Sequence, residues 1–585
     1  MDNADGIYGF GEAPAPPLTL AGDTVNVLPR IDRDTLCATL RRLPQDELDA
    51  ALRLKLVPLV SLPGLVLHAA CGPAALAQGH RLGLKIVGYA DAHDLVAAAR
   101  GVHGASLLRE ATFGLARRMP HASAQRRLTT PQAMTLIAFM VLAVAGAWLV
   151  PVSVFWPVAS LVSGVFFLSV IALRLLCLLP PVPQKVKPAA LKLSDAALPS
   201  YSVLVPLFRE TAVLGQLIGA MTRLRYPQDK LDIKLILEEE DITMQAAVAK
   251  LVLPPQFEVI VVPAGRPQTK PRALNYALAF CRGDLLTIYD AEDIPEPDQL
   301  TKAAVRFAQA GPELACLQAE LTFFNPNENW LARQFAAEYA VLFGGLLPVL
   351  ANHRLPLPLG GTSNHFRTAA LRAVGGWDPF NVTEDADLGL RLARHGYDTG
   401  SLDSLTYEEA NTRLRNWVHQ RARWLKGFLA TWLVHMRNPA RLLRELGPAG
   451  FWVAQAVTIG VFASALLHPL CLAATAVVMM LYPVLPDGAG VFALGIAGLN
   501  LLVLVSGYVL TVILTRHAMR RRGYFGWVGT LLTMPAYWLL MSAAAWLALW
   551  QFITAPFHWN KTQHGLSSFQ GATQRQRWRF ARLRA

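Results

Sequence analysis

Leu285-Leu286-Thr287-Ile288-Tyr289-Asp290-Ala291-Glu292-Asp293 is the stretch on which the reading of the fold turns. An apolar run of strand length ends directly in a group of carboxylates. Ile233-Lys234-Leu235-Ile236-Leu237 does the same, running into Glu238-Glu239-Glu240-Asp241, and Tyr201 to Pro206 and Val259 to Val262 are further apolar runs. Helical stretches separate them, the alternation expected of βαβ units and a largely parallel sheet over residues 198–430. The carboxyl ends of such strands are where open α/β sheets bind ligands.

Outside this block the chain is too apolar to be wholly soluble: 53% of its 585 residues are hydrophobic and 16% are charged. The apolar residues gather in stretches of membrane-spanning length. Two are expected within 131–180 and three or four within 449–555. Arg117, Arg118, Arg126 and Arg127 precede the first pair, Lys185, Lys187 and Lys192 follow it, and the loop between is bare of charge. By the positive-inside rule both flanking regions are cytoplasmic, which suggests a multi-pass protein of a bacterial inner membrane. Arg516, Arg520, Arg521 and Arg522 and the arginine-rich tail (556–585) read as cytoplasmic too. Those placements conflict with one crossing between them, and Pro535 allows a re-entrant or hairpin arrangement.

The net charge of +13 is explained by these flanks and by attraction to anionic membrane lipid, so nucleic acid is not expected as a partner. Six scattered cysteines without metal-site spacing read as buried thiols in a reducing compartment. No charged segment followed by an apolar one opens the chain, so no signal peptide is expected. Residues 1–30 read as disordered, and 31–120 as a small α/β domain with a helix over 36–54, strands at 56–60 and 65–67, and a helix at 93–99.

Three clusters carry chemistry. Asp290 and Glu292, one residue apart after a strand and with Asp293 adjacent, can share a Mg²⁺ or Mn²⁺ bridging phosphate oxygens. A solvated helix start has the same sequence. Thr383-Glu384-Asp385 follows a turn-rich segment and precedes a helical run. It reads either as an N-cap with acids in the first turn or as a general base, Asp385, beside Glu384. Gln420, Arg423 and Trp424 share one helix face by their i, i+3, i+4 spacing. Arg423 can steady a leaving diphosphate and Trp424 can stack on a sugar ring, or the helix can simply anchor the block at the membrane.

In this order the clusters resemble the processive family 2 glycosyltransferases, the cellulose, chitin and hyaluronan synthases, whose pattern is D, DxD, TED and QxxRW. The resemblance covers about 198–430 and implies a GT-A-like α/β transferase domain between transmembrane helices. It implies that Glu238, Glu239, Lys270 and Asn275 contact a UDP-sugar donor and that Asp290, Glu292 and Asp293 hold the metal. It further implies that Asp385 is the base and that Gln420, Arg423 and Trp424 line the acceptor and pyrophosphate site. Gly360-Gly361-Thr362-Ser363 falls where that family meets the terminal sugar of the growing polysaccharide, which points to Thr362 and Ser363 as acceptor contacts.

The chain departs from the pattern with Glu in the first motif and DAE for DAD. Its tail, with Trp559, Lys561, Thr562, His564 and Gly565, is similar to the XagB-like and mixed-linkage β-glucan synthase-like branch, which suggests that Lys561 and His564 approach the donor phosphates. Residues 31–120 resemble the amino-terminal domain of type II secretion ATPases, an interaction module that in some relatives binds a cyclic dinucleotide. The RLG-type nucleotide repeat of those relatives is not found; His80-Arg81-Leu82-Gly83 is the nearest fragment, and it reads first as a loop.

The expected activity is inverting, processive transfer from a UDP-sugar, glucose before N-acetylglucosamine, into an exopolysaccharide, with export or assembly proteins as further partners. Transfer to a lipid carrier without processivity, and a catalytically silent assembly or signalling component, are the alternatives.

Overall fold

The computed structural model describes residues 28–62, 65–178, 193–481, 491–522, 528–557, 565 and 567. The chain divides into two compact units, residues 1–98 and 99–585. In the first, helices α1 (Arg33–Leu40) and α2 (Gln45–Leu54) precede strands β1 (Leu56–Leu62) and β2 (Leu65–Cys71), then α3 (Pro73–Arg81) and β3 (Lys85–Ala90). Strand β2 is central, antiparallel to β1 and parallel to β3. Asp32 starts α1 by accepting the Thr35 N–H at 2.7 Å, and Lys55 ends α2 in the left-handed region at φ 56°. The helix expected at 93–99 is much longer, α4 (Ala92–Arg118). Its glycines do not stop it, because Leu95, Ala99, Leu107, Ala111 and Leu115 recur at helical spacing and are all buried.

The second unit is built on an eight-stranded sheet. Its strands are β4 (Tyr201–Leu207), β5 (Leu231–Glu238), β6 (Phe257–Val262), β7 (Leu285–Ile288), β8 (Ile294–Pro295), β9 (Leu314–Phe323), β10 (Asn364–Arg367) and β11 (Asp398–Glu408). Their spatial order is β6-β5-β4-β7-β10-β9-β11-β8. The first four run parallel, with Val203 beside both Ile233 and Thr287, so β5 and β7 deliver their terminal acids to the same edge. Strand β10 inserts antiparallel between β7 and β9, β11 returns parallel to β9, and β8 lies antiparallel on β11. The expectation of a GT-A-like α/β fold with a mostly parallel sheet holds.

Helices α7 (Leu214–Thr222), α8 (Ile242–Ala249), α9 (Lys270–Leu278), α10 (Gln299–Ala308), α11 (Trp330–Val341), α12 (Leu347–Asn352), α13 (Thr368–Ala373), α14 (Glu384–Arg394) and α15 (Leu414–His435) belong to the same block. Strand residues Val203, Val205, Ile233 and Leu235 are fully buried beneath them. Each such side chain contributes roughly 1.5–3 kcal/mol by leaving water.

Helices α5 (Thr130–Leu149) and α6 (Val152–Leu176) come before the sheet. After it follow α16 (Pro439–Gln455), α17 (Val461–Leu481), α18 (Val491–Arg521), α19 (Val528–Leu532) and α20 (Met534–Thr554). A positive φ of 67° at Gly447, next to Pro448, kinks α16.

Among the described residues six helical stretches are long and apolar enough to cross a membrane. One of them, Trp330–Asn352, spans α11 and α12 inside the sheet-bearing block, where sequence reading places no span. It leaves from β9 and returns to β10, its antiparallel neighbour in the same sheet. A single crossing would separate two strands that are hydrogen-bonded to each other, so this stretch lies against the sheet. Helix α20 also stays with the block. Near its start Gln334 Nε2 donates to Thr530 O (2.7 Å) and Trp330 Nε1 to Thr533 Oγ1 (2.7 Å), and at its end Lys426 Nζ donates to Ala555 O (3.2 Å).

Candidate active site

Strand β7 ends at Ile288, and the chain turns through Asp290 to Asp293. Asp293 holds that turn. Its carboxylate accepts the Asp290 N–H at 2.7 Å and the Thr362 hydroxyl, and it is fully buried. Asp290 and Glu292 line the cavity instead. Lys270, the first residue of α9, donates to Asp290 and, at 2.8 Å, to Gly361 O, fixing the metal motif to the loop before β10. Burial opposes the Lys270 charge, yet Asp290 and Glu384 hold its ammonium above the usual range. Burial, with Asp290 nearby, pushes the Glu292 and Asp293 carboxyls well up.

Thr383 precedes α14, whose first residues Glu384 and Asp385 both face the cavity. Burial, then the Asp385 charge, raises the Glu384 carboxyl to about 8. Asp385 is raised too by burial, while the Ala386 N–H (2.8 Å to Oδ1), Lys270 and Arg423 draw it back. A Cβ added at Gly361 would stand 3.3 Å from Asp385 Oδ2, so the loop and the Asp385 carboxylate are in van der Waals reach. From α15, Gln420, Arg423 and Trp424 complete the wall, with Arg423 donating to Val382 O at 3.5 Å.

These groups share one cavity of about 1890 Å³. It extends from Glu238, Asp290 and Asp385 to Ser163, Asn500 and Tyr508 on the membrane-length helices α6 and α18.

Not every residue singled out by sequence faces this space. Glu238 and Thr362 line it; Glu239, Asn275, Asp293 and Ser363 do not. Glu239 turns to α4, where Arg100 donates to it, and it also accepts the Ala264 N–H at 2.8 Å. Asn275 Nδ2 donates to Ala111 O (3.1 Å) and Trp377 O (2.8 Å), and its Oδ1 accepts the Trp377 N–H (3.0 Å). Its amide therefore ties α4 to the turn before α14. Ser363, in the left-handed region at φ 55°, donates to Thr406 Oγ1 at 2.7 Å. Glu238 is paired with Arg272 and raised by burial to about 7. Lys561 and His564 lie outside the described residues.

Sequence reasoning missed Glu408, a cavity acid that burial and then the Asp293, Glu292 and Asp290 charges hold well up. The signal was available: Leu405-Thr406-Tyr407-Glu408 is another strand ending in an acid.

Among the described residues no three His, Cys, Asp or Glu side chains converge to hold a metal by themselves. Asp290 and Glu292 offer two carboxylates to the cavity, and a hard cation held by one or two carboxylates plus substrate phosphates suits that donor set.

Residues 285–558 match the family model of glycosyl transferase family group 2. The match runs from β7 through α20, the part of the chain that holds the metal motif, the TED segment and α15. The chain is 28% identical over 307 residues to a β-monoglucosyldiacylglycerol synthase of Synechocystis, covering 50% of this chain and 58% of that protein. It is 26% identical over 266 residues to glucomannan 4-β-mannosyltransferase 2 of Arabidopsis thaliana, covering 44% and 47%. The chain thus spans about half the length of the curated relatives it matches. Among solved structures, mannosyltransferase PcManGT from Pyrobaculum calidifontis, in complex with GDP-Man and Mn²⁺, aligns over 68% of this chain and 97% of its own at 17% identity and a TM-score of 0.45.

Proposed function

We propose that this protein is an inverting, processive membrane β-glycosyltransferase that builds a polysaccharide from a UDP-sugar, glucose favoured over N-acetylglucosamine. The observation that carries this reading is the single cavity running from Asp290 and Asp385 into the membrane-length helices. A chain elongated beside Asp385 has a continuous path to leave by.

In this reading Glu238 and Lys270 face the donor side, Glu239 is held away from it by Arg100, and Asp290 and Glu292 would hold a Mg²⁺ or Mn²⁺. The cation, when bound, neutralises the diphosphate. Asn275 and Asp293 shape the pocket rather than touch the donor. Asp385 takes the proton of the acceptor hydroxyl, whose oxygen bonds to the anomeric carbon as the bond to UDP breaks and UDP leaves with the electron pair. Burial suits Asp385 to this task, because a carboxylate raised toward neutrality is a stronger base. Arg423 faces the leaving diphosphate, Gln420, Thr362 and Trp424 face the acceptor, and Lys561 and His564 approach the donor phosphates from the tail.

Topology is consistent with export. With Trp330–Asn352 and α20 held to the catalytic block, four crossings remain: α5, α6, the α16–α17 pair and α18. Four, counted among the described residues, is even, so in this reading the chain enters and leaves its membrane segments on one side, taken as the cytoplasmic side of a bacterial inner membrane. Gly565 and Ser567 agree, since their N–H groups donate to Glu409 beside β11 at 2.5 and 2.6 Å.

Membranes given UDP-glucose or UDP-N-acetylglucosamine separately, with Mg²⁺ or Mn²⁺, should form polymer from one of them. Asp385→Asn should lower that rate by about 10²–10⁴-fold, the usual worth of a general base. Equal polymer from the variant would remove Asp385 from the mechanism. A second reading, single transfer to a membrane lipid, draws on the similarity to the β-monoglucosyldiacylglycerol synthase. One sugar per acceptor in the same assay would establish it over processivity.

A further inference from the structure

Arg421 stands between Gln420 and Arg423 on α15 but belongs to no motif named above. It is 3% exposed, yet it sits in the cavity wall. Its guanidinium forms a two-pronged ion pair with Glu338 of α11, one nitrogen donating to Oε1 at 2.8 Å and the other to Oε2 at 2.7 Å. Tyr537 of α20 donates to the same Glu338 Oε2 at 2.7 Å and accepts from Arg421 at 3.1 Å. Three helices therefore meet on one charge pair.

The guanidinium is also enclosed by rings. Its carbon lies 4.3 Å from the Phe335 centroid, 4.6 Å from that of Trp424 and 5.4 Å from that of Trp417. A planar cation held in two directions by a carboxylate fixes the plane of the ring stacked on it, which a flexible ammonium cannot do. A buried ion pair is weak as a device for stability, since apolar side chains of similar volume often do as well. What this one supplies is geometry at Trp424.

We propose that Arg421 is a positioning residue that sets Trp424 as the acceptor platform, and that Glu338 and Tyr537 make the setting depend jointly on the catalytic block and on α20. The inference rests on the reading of Trp424 as an acceptor contact.

The full-length protein in membranes tests it, with saturating UDP-sugar and a short oligosaccharide of the same sugar as acceptor. Arg421→Lys keeps the charge and loses the fork. It should raise the acceptor KM about tenfold, the scale of a desolvated cation–ring contact, while leaving the donor KM and acceptor-independent UDP release within about twofold. Tyr537→Phe removes the hydroxyl and both its hydrogen bonds, to Glu338 and from Arg421, and should raise the acceptor KM about fivefold, the low end of what two such bonds are worth. It carries the test where Arg421→Lys does not fold.

An unchanged acceptor KM in the folded variants overturns the proposal. So does a change of donor KM, kcat and unfolding temperature together, which is what a merely structural residue would give. Wild-type protein that transfers no sugar from any donor defeats the functional reading instead, a distinct result.

Discussion

Gly427 is where α15 passes the TED segment, and replacing it by alanine isolates the geometry of Asp385, the base in the proposed function. A Cβ built there falls 2.7 Å from Thr383 Cβ and closer still to its hydroxyl and methyl. Ordinary carbon contacts are about 3.5–4.0 Å, so Thr383 has to retreat by roughly 1 Å. It cannot do so freely. It is 5% exposed, and its N–H donates to Asn381 Oδ1 at 3.1 Å while Asn381 donates to Thr431 of α15 at 2.8 Å. The retreat passes directly to Glu384 and Asp385.

Two terms compete in stability. Alanine gains about 1 kcal/mol over glycine inside a helix. Overpacking costs about 1–3 kcal/mol. The net loss is therefore about 0–2 kcal/mol, whereas a displacement of about 1 Å in a reacting group costs about 100-fold in rate. Gly427→Ala should thus unfold within a few degrees of wild type and release UDP about 100-fold more slowly, measured by UDP release in membranes alongside thermal unfolding. Gly215→Ala is the control, since nothing lies within 4 Å of its Cβ position; its turnover should be unchanged. A folded Gly427→Ala protein with turnover within threefold of wild type would refute the coupling between α15 and the base.

Two further outcomes follow from charge. The Glu384 carboxyl is raised in the folded protein from 4.5 to about 8, so the stability tied to its neutral form is fully present below about pH 4.5 and is lost as pH rises through 8. Glu384→Gln should flatten the fall in apparent unfolding temperature over that window; parallel profiles for the two proteins would dismiss the shift. Arg100→Ala frees Glu239, and because the pair's side chains are 35% and 44% exposed the contact is worth only about 0.2–1 kcal/mol. The donor KM should fall by no more than about fivefold, with the difference erased at high salt, and a rise would show that Arg100 supports the donor pocket.

Half of the sheet was legible because β4, β5, β6 and β7 are apolar runs, two of which run into acids, a signal that is local in sequence. Residues 285–293 contain both the strand and the chemistry. The helices that stay with the catalytic block were not. Hydropathy ranks α20 with the crossing helices, and the contacts that hold it to α11 and α15, among them those of Gln334, Trp330, Arg421 and Lys426, come from more than a hundred residues earlier. Helix α4 was underestimated for a related reason. Its value lies in Arg100 and Ala111, whose partners Glu239 and Asn275 come 139 and 164 residues later.

The division of site residues follows in part from a rule of extended chain. Neighbouring side chains on a strand point to opposite faces, which parts Glu238 from Glu239, although Glu408 and Glu409 at the end of β11 both line the cavity. Glu238 faces the cavity and Glu239 turns to Arg100; Thr362 faces it and Ser363 turns to Thr406. Asp290 and Glu292, two apart, both face the cavity, and Asp293 turns back to close the loop. Glu384 and Asp385 escape the rule because they open a helix, where successive side chains are separated by about 100° and one wide cavity admits both. Local backbone geometry, a strand end at Glu238, a turn at Asp290 to Asp293 and a helix start at Glu384, thus decides which carboxylates face the cavity, and the Glu in the first motif keeps its place at a strand end.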